Sequence, residues 1–144
     1  MFDRLLLGAG LVALAACNTT APTASLPRVD PEAAARAAAN PPQQAAVLSA
    51  LEPLEGSELS PGLVLNDARA GDGRVIMDLS LSDDSAIDTP AKRAAFIEAF
   101  QRDFGLQMCA APALRSYIAT RGGFAANVRT AAGDPLVSRV IDSC

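Results

Sequence analysis

Leu14-Ala15-Ala16-Cys17 does most to limit what this chain folds into, because it divides the chain in two. A basic start, the Met1 amine with Arg4, leads into twelve uncharged, mostly apolar residues from Leu5 to Ala16, and a cysteine follows. That order is the order of a secretory signal peptide. A branched residue at 14 and small residues at 15 and 16 suit a narrow peptidase cleft. The Cys17 thiol is the group that accepts diacylglycerol as a thioether. A plain membrane-spanning helix is the weaker reading, since twelve residues fall short of the roughly 20 that a span needs. The other alternative is an ordinary signal that leaves a free cysteine at the cleaved end.

The division predicted is a signal peptide over 1–16, cut between Ala16 and Cys17, and a lipidated amino terminus with a flexible tether over 17–29. A short Ala/Pro-rich helical segment follows over 30–60, and a globular domain over 61–144. Diacylglycerol and an N-acyl chain such as palmitate would be carried covalently on Cys17. Each buried methylene is worth about 0.8 kcal/mol, so two or three chains anchor where one would not. Asn18 stands where Asp would favour retention in the inner membrane. The expected location is therefore the bacterial cell envelope, lipid-anchored and facing the periplasm, at the outer membrane. No other cofactor and no metal is expected.

The anchor also settles the cysteine count. Of three cysteines, taking out Cys17 leaves Cys109 and Cys144. Two cysteines in an oxidising compartment read as one disulfide. In the chain-entropy account a loop of about 35 residues is worth roughly 4 kcal/mol, less any native strain. The rival reading is a redox-active pair, but redox pairs tend to sit close in sequence, as in Cys-x-x-Cys.

Composition excludes several chemistries. There is no histidine, which removes the usual general base, the Ser-His and Cys-His pairs and most zinc sites. Removal of Asp3 and Arg4 with the signal leaves 15 acidic and 11 basic residues, so the net charge stays at −4. An acidic chain whose one lysine is Lys92 is a poor match for nucleic acid. The carboxylates Asp83, Asp84 and Asp88 cluster in one loop but fit no calcium-loop spacing, so they read as a solvated loop. Gly71-Asp72-Gly73 is a turn, with no helix start or lysine after it to cradle a phosphate. Arg115 and Arg121 on one helix are of a type to hold a carboxylate, although surface arginines are the plainer reading. No catalytic group is assigned, and the expectation is a protein that is not an enzyme.

Along the chain, Asp30-Pro31 has the chemistry of a helix start, and Asn40-Pro41-Pro42 ends that helix. A second helix within 42–51 has Val47, Leu48 and Leu51 on its apolar side. Whether these two pack on the domain or belong to a stalk is open at this point. Residues 62–70 and 74–82 read as a hairpin, the latter with Val75, Met77, Leu79 and Leu81 alternating with Ile76, Asp78, Ser80 and Ser82. Thr89-Pro90 opens the main helix, whose Phe96, Phe100, Phe104 and Met108 recur every four residues. That stripe reads as core packed on a sheet, or alternatively as a groove for an apolar ligand or partner helix. Glu98 and Arg102 are spaced for an exposed ion pair. Gly105 weakens the helix, and Pro112 starts a second segment. Residues 124–131 and 135–141 read as a closing hairpin around Gly133-Asp134. The fold predicted is α+β: a small antiparallel sheet of about four strands, in two hairpins, with one main helix packed on one face.

Cys109-Ala-Ala-Pro112-Ala-Leu-Arg115, then Gly122-Gly123, a strand, Gly133-Asp134, a strand and Cys144 resembles a pattern in small exported bacterial proteins and lipoproteins. It is similar to the disulfide-bearing pilotins that escort secretin subunits of type II secretion to the outer membrane. The resemblance covers roughly residues 62–144. It implies an α/β sandwich, a Cys109–Cys144 disulfide, Pro112 and Arg115 as helix-start features, and a lipid anchor that carries cargo. The third strand departs from the family, with Phe124-Ala-Ala-Asn-Val-Arg-Thr130 in place of tyrosines.

The function expected is a membrane-anchored periplasmic lipoprotein that acts as a binding or escort module in envelope or secretion-system assembly. Its partners would be the membrane, through the anchor, and an envelope or secretion protein. The alternative is a structural, envelope-maintenance lipoprotein with no dedicated client. Tritiated palmitate fed to cells is expected to label the protein, and Cys17→Ser is expected to abolish the label and leave the uncleaved precursor.

Overall fold

The computed structural model describes residues 30–144. Ala16 and Cys17, the signal peptide and the tether of 17–29 lie outside the described residues. The fold is α+β, with four helices and a five-stranded sheet.

The helices start where capping chemistry places them. In α1 (Pro31–Ala39) the Asp30 carboxylate accepts from the Glu32 N–H, with proline in the first turn. After Asn40-Pro41-Pro42 comes α2 (Gln44–Leu51), followed by a 3-10 turn, Glu52–Leu54. In α3 (Pro90–Ala110) the Thr89 hydroxyl accepts from the Lys92 N–H. The helix runs through Gly105 without a break. One helical glycine costs about 1 kcal/mol, and burial of the adjacent Phe104 offsets it. The break comes at Ala111, which is extended, and Pro112 then opens α4 (Pro112–Thr120).

The strands are β1 (Glu58–Ser60), β2 (Leu63–Gly71), β3 (Arg74–Leu81), β4 (Phe124–Arg129) and β5 (Pro135–Ile141), hydrogen-bonded in that order. Both expected hairpins form, β2–β3 and β4–β5. Asp72 and Gly73 hold the first turn with φ of 51° and 72°, as a right-twisted hairpin requires. Two features correct the sequence reading. A short edge strand, β1, raises the count to five. The sheet is also not wholly antiparallel, because β3 and β4 run parallel. Strands joined through α3 and α4 are returned to the end of the sheet where β3 began, and a crossover of this kind gives parallel neighbours.

β3 alternates as its sequence indicates, with Val75, Met77, Leu79 and Leu81 buried. Phe124, Ala126 and Val128 of β4 and Val137 and Ile141 of β5 continue the same apolar face. The helices cover that face. Val47 of α2, Phe100 and Phe104 of α3, and Tyr117 and Ile118 of α4 complete the core. Segment 30–60 is thus part of the packed unit. α1 lies along α4, where the Ser116 hydroxyl donates to the Ala37 carbonyl at 2.6 Å. α2 lies on β2 and β3, and the Gln44 amide donates to the Arg74 carbonyl at 2.9 Å.

Cys109, in the last turn of α3, is bonded to Cys144, with Cα atoms 5.7 Å apart. The bond ties the main helix to the residues just after β5. Where α4 turns into β4, Gly122 has φ 143°, and a Cβ there would run into the Gly73 carbonyl. The crossover returns to the sheet through a gap that only glycine fits.

The double variant Cys109→Ser/Cys144→Ser is expected to keep its far-ultraviolet circular dichroism but melt roughly 10–15 °C lower. An unchanged melting temperature would show that the bond adds nothing to the native packing.

Candidate functional site

The two faces of the sheet offer different surfaces, and the register determines which side chains meet on each. On the open face, β2 carries an irregularity between Leu65 and Asp67. Leu65 pairs with Leu79 and faces the core; two residues on, Asp67 pairs with Asp78, which faces out. The extra residue, Asn66, shifts the alternation by one, so Asp67 and Arg69 emerge on the open face. There Arg69 binds both Asp67, at 2.7 Å, and Asp78. The Asn127 amide donates to Asp78 at 3.0 Å, and the Ser138 hydroxyl donates to the Asn127 carbonyl oxygen at 3.0 Å. A chain of polar contacts therefore crosses β2, β3, β4 and β5. Partial burial pushes the Asp78 carboxyl up, but hydrogen bonds from Arg69 and Asn127, with the charges of Arg69 and Arg129, outweigh it and hold the group below its ordinary value.

The helical face holds the cavity. α2 and the 3-10 turn stand over the β2 side of the sheet, and α3 stands over β5. Between them an apolar cleft opens in two lobes. The first, about 230 Å³, lies between α3 and the β1–β2 edge, with Phe96, Ala99, Phe100 and Phe104 on one side, Leu59, Pro61 and Leu63 on the other, and the polar Ser60, Asp103 and Gln107 also in its lining. The second, about 320 Å³, lies between α2 and the start of α4 and is lined by Pro42, Ala46, Val47, Ala50, Leu51, Leu54, Met108, Ala113, Leu114 and Phe124. Met108 borders both lobes.

The phenylalanine stripe is divided between the core and the cleft lining. Phe100 and Phe104 are buried, with ring centroids 5.2 Å apart. Phe96, 6.2 Å from Phe100, is only partly covered and faces the first lobe together with Met108. Leu54 and Leu59, 41% and 38% exposed, stand at the cleft opening. Such large exposed apolar side chains beside a concavity mark a binding surface more often than isolated ones do.

Charge around the cleft is uneven. Residues 37–68 contain no lysine or arginine and carry Glu52, Glu55, Glu58 and Asp67. On the α3 side Arg102 pairs with Asp103 at 2.6 Å rather than with Glu98 as its spacing indicates. The adjacent carboxylate meets the guanidinium through two of its nitrogens, at 2.6 and 3.1 Å.

The remaining residues singled out in the sequence have structural partners or lie exposed. Asp83 caps the turn at the Ser85 N–H, Asp84 accepts from the Ala131 N–H, and Asp88 pairs with Lys92. These three carboxylates brace the entry to α3. Arg115 and Arg121 are exposed. Cys109 is half-buried against the core, away from the cleft lining. Among the described residues there is no group of three or more His, Cys, Asp or Glu able to hold a metal ion. No helix among them is long and apolar enough to cross a membrane.

Two features were missed in the sequence. The α2 wall of the cleft shows in the sequence only as the short apolar row Val47, Leu48 and Leu51, in a segment whose packing on the domain the sequence leaves open. The open-face polar chain was visible only as outward positions of separate strands, since register is not written locally.

Comparison with known proteins supports the fold. The chain is similar to a crystal structure from Pseudomonas aeruginosa, that of a candidate secreted protein, with a TM-score of 0.54 at 10% sequence identity. The match covers 68% of this chain and 84% of the other. No family model matches the chain, and no curated protein does.

Because the native Asp78 carboxyl titrates below its unfolded value, its pairing stabilises the fold above about pH 4 and is lost as pH falls through the native value. Asp78→Asn is expected to cost about 1 kcal/mol in urea unfolding at pH 7. The gap should narrow progressively as pH falls below about 4; a gap independent of pH would assign the loss to packing instead.

Proposed function

We propose that the protein is a lipid-anchored periplasmic binding module that escorts an envelope or secretion-system client, as pilotins do, and that its two-lobed cleft receives an apolar segment of that client. The observation that carries this reading is the cleft itself: a mostly apolar concavity whose lining includes Phe96, Phe100, Phe104 and Met108 and which no other part of the described chain fills. The anchor segment, the pattern from Cys109 to Cys144 and the likeness to a candidate secreted protein support the same compartment. The fold carries the cleft and Cys17 carries the lipid, so recognition and anchoring are separate tasks joined by a tether. The lack of histidine and the structural engagement of the loop carboxylates favour a module without catalysis. An envelope-maintenance role without a client is the competing reading.

Ala99→Glu and Leu59→Glu place a charge in the cleft at positions that are not in the core. Each is expected to change stability by no more than about 0.5 kcal/mol while abolishing crosslinking to a stoichiometric client and lowering secretion. A deletion strain that secretes normally but becomes detergent-sensitive would instead support the maintenance role.

A further inference from the structure

The second lobe has an unusual lining for a ligand site: all of its residues are apolar. A pocket selective for a free fatty acid or a phospholipid needs a polar group to receive the head, since a buried charged or polar head without a partner is costly. This lobe offers none. An acyl chain whose head is already fixed covalently elsewhere needs none.

From these observations we infer that the cleft is the resting place of the protein's own acyl chains, carried on Cys17, whenever the protein is not inserted in a membrane. The inference rests on the anchored-lipoprotein reading. The distances allow it. Residues 18–29 are twelve residues, with an extended reach of about 40 Å. The described part, residues 30–144, has the size of a domain with a radius of gyration of about 13 Å. The tether joins α1, which packs along α4, and Ala113 and Leu114 in the first turn of α4 line the second lobe. The tether therefore starts from a helix packed on the one that forms part of the lobe's wall, and its reach exceeds the size of the domain. Tethering of this length supplies an effective concentration near the millimolar range. Each methylene transferred from water changes the equilibrium about fourfold, so a lobe that takes only four favours the occupied state about two-hundredfold.

The consequence is an ordered sequence of states. In water the acyl chain fills the cleft, shielding itself and closing the client site. A bilayer offers a larger apolar volume, draws the chain out and opens the cleft. Client binding then depends on membrane insertion.

The test uses lipoprotein labelled in cells with a palmitate that carries a photoactivatable diazirine. The protein is purified in octyl glucoside, dialysed into detergent-free buffer and irradiated before and after addition of phosphatidylethanolamine/phosphatidylglycerol vesicles. Before vesicles, the label is expected within the same chain, on peptides containing Leu51, Met108 and Leu114; after vesicles, it is expected on phospholipid. Ala50→Trp, and separately Ala113→Trp, should fill the lobe and reduce internal labelling at least tenfold while Cys17 stays acylated. Label found only between chains, or on phospholipid carried through purification, overturns the inference and leaves the escort reading standing. Absence of label from Cys17 altogether overturns the anchor and the inference together.

Discussion

The parallel pairing of β3 with β4 is the constraint from which the rest of the architecture follows. Two parallel neighbours cannot be joined by a turn, so the chain between Leu81 and Phe124 has to cross one face of the sheet. Its length is taken up by α3 and α4, and those helices can cover only part of a five-stranded face. α3 lies towards β5 and α4 follows it. The β2 side is left to whatever precedes the sheet in sequence, and α2 covers it in part. The cleft is the remaining gap between a crossover that reaches from one side and an amino-terminal helix that reaches from the other.

Much of the local structure was legible before the fold was known. Asp30-Pro31 and Thr89-Pro90 marked helix starts because capping chemistry is carried by residues two or three positions apart. Val75 to Leu81 announced a half-buried strand because alternation is a local pattern. Cys109 and Cys144 could be paired by count alone. What stayed hidden was non-local. β1 has three residues, all exposed, and no alternation to detect. The parallel junction depends on where a long crossover delivers the chain. The packing of α1 rests on a contact between Ser116 and Ala37, 79 residues apart in sequence. The cleft was half legible: the Phe96–Met108 row demanded an apolar neighbour, but nothing in its spacing distinguished a fully covered stripe from one left open at both ends.

The two faces of the sheet are kept apart by a single inserted residue. Without the irregularity at Asn66, Asp67 would oppose Met77 and its carboxylate would point into the core. The insertion turns that liability into the first member of a polar chain that runs to Ser138. One face thereby carries a chain of internal hydrogen bonds, and the other is left mostly apolar and incompletely covered.

The Cys109–Cys144 bond has a consequence for the order in which the structure is completed. A chain that emerges amino end first presents Cys109 35 residues before its partner. During that interval α3 can form and lie against β3, but its final turn has nothing to fasten to. In the folded structure β5 beside β4 brings Cys144 to a Cα distance of 5.7 Å from Cys109. Among the described residues no third cysteine competes, so oxidation within the fold has a single outcome. The disulfide thus fastens the end of the main helix to the chain leaving the edge strand of the sheet.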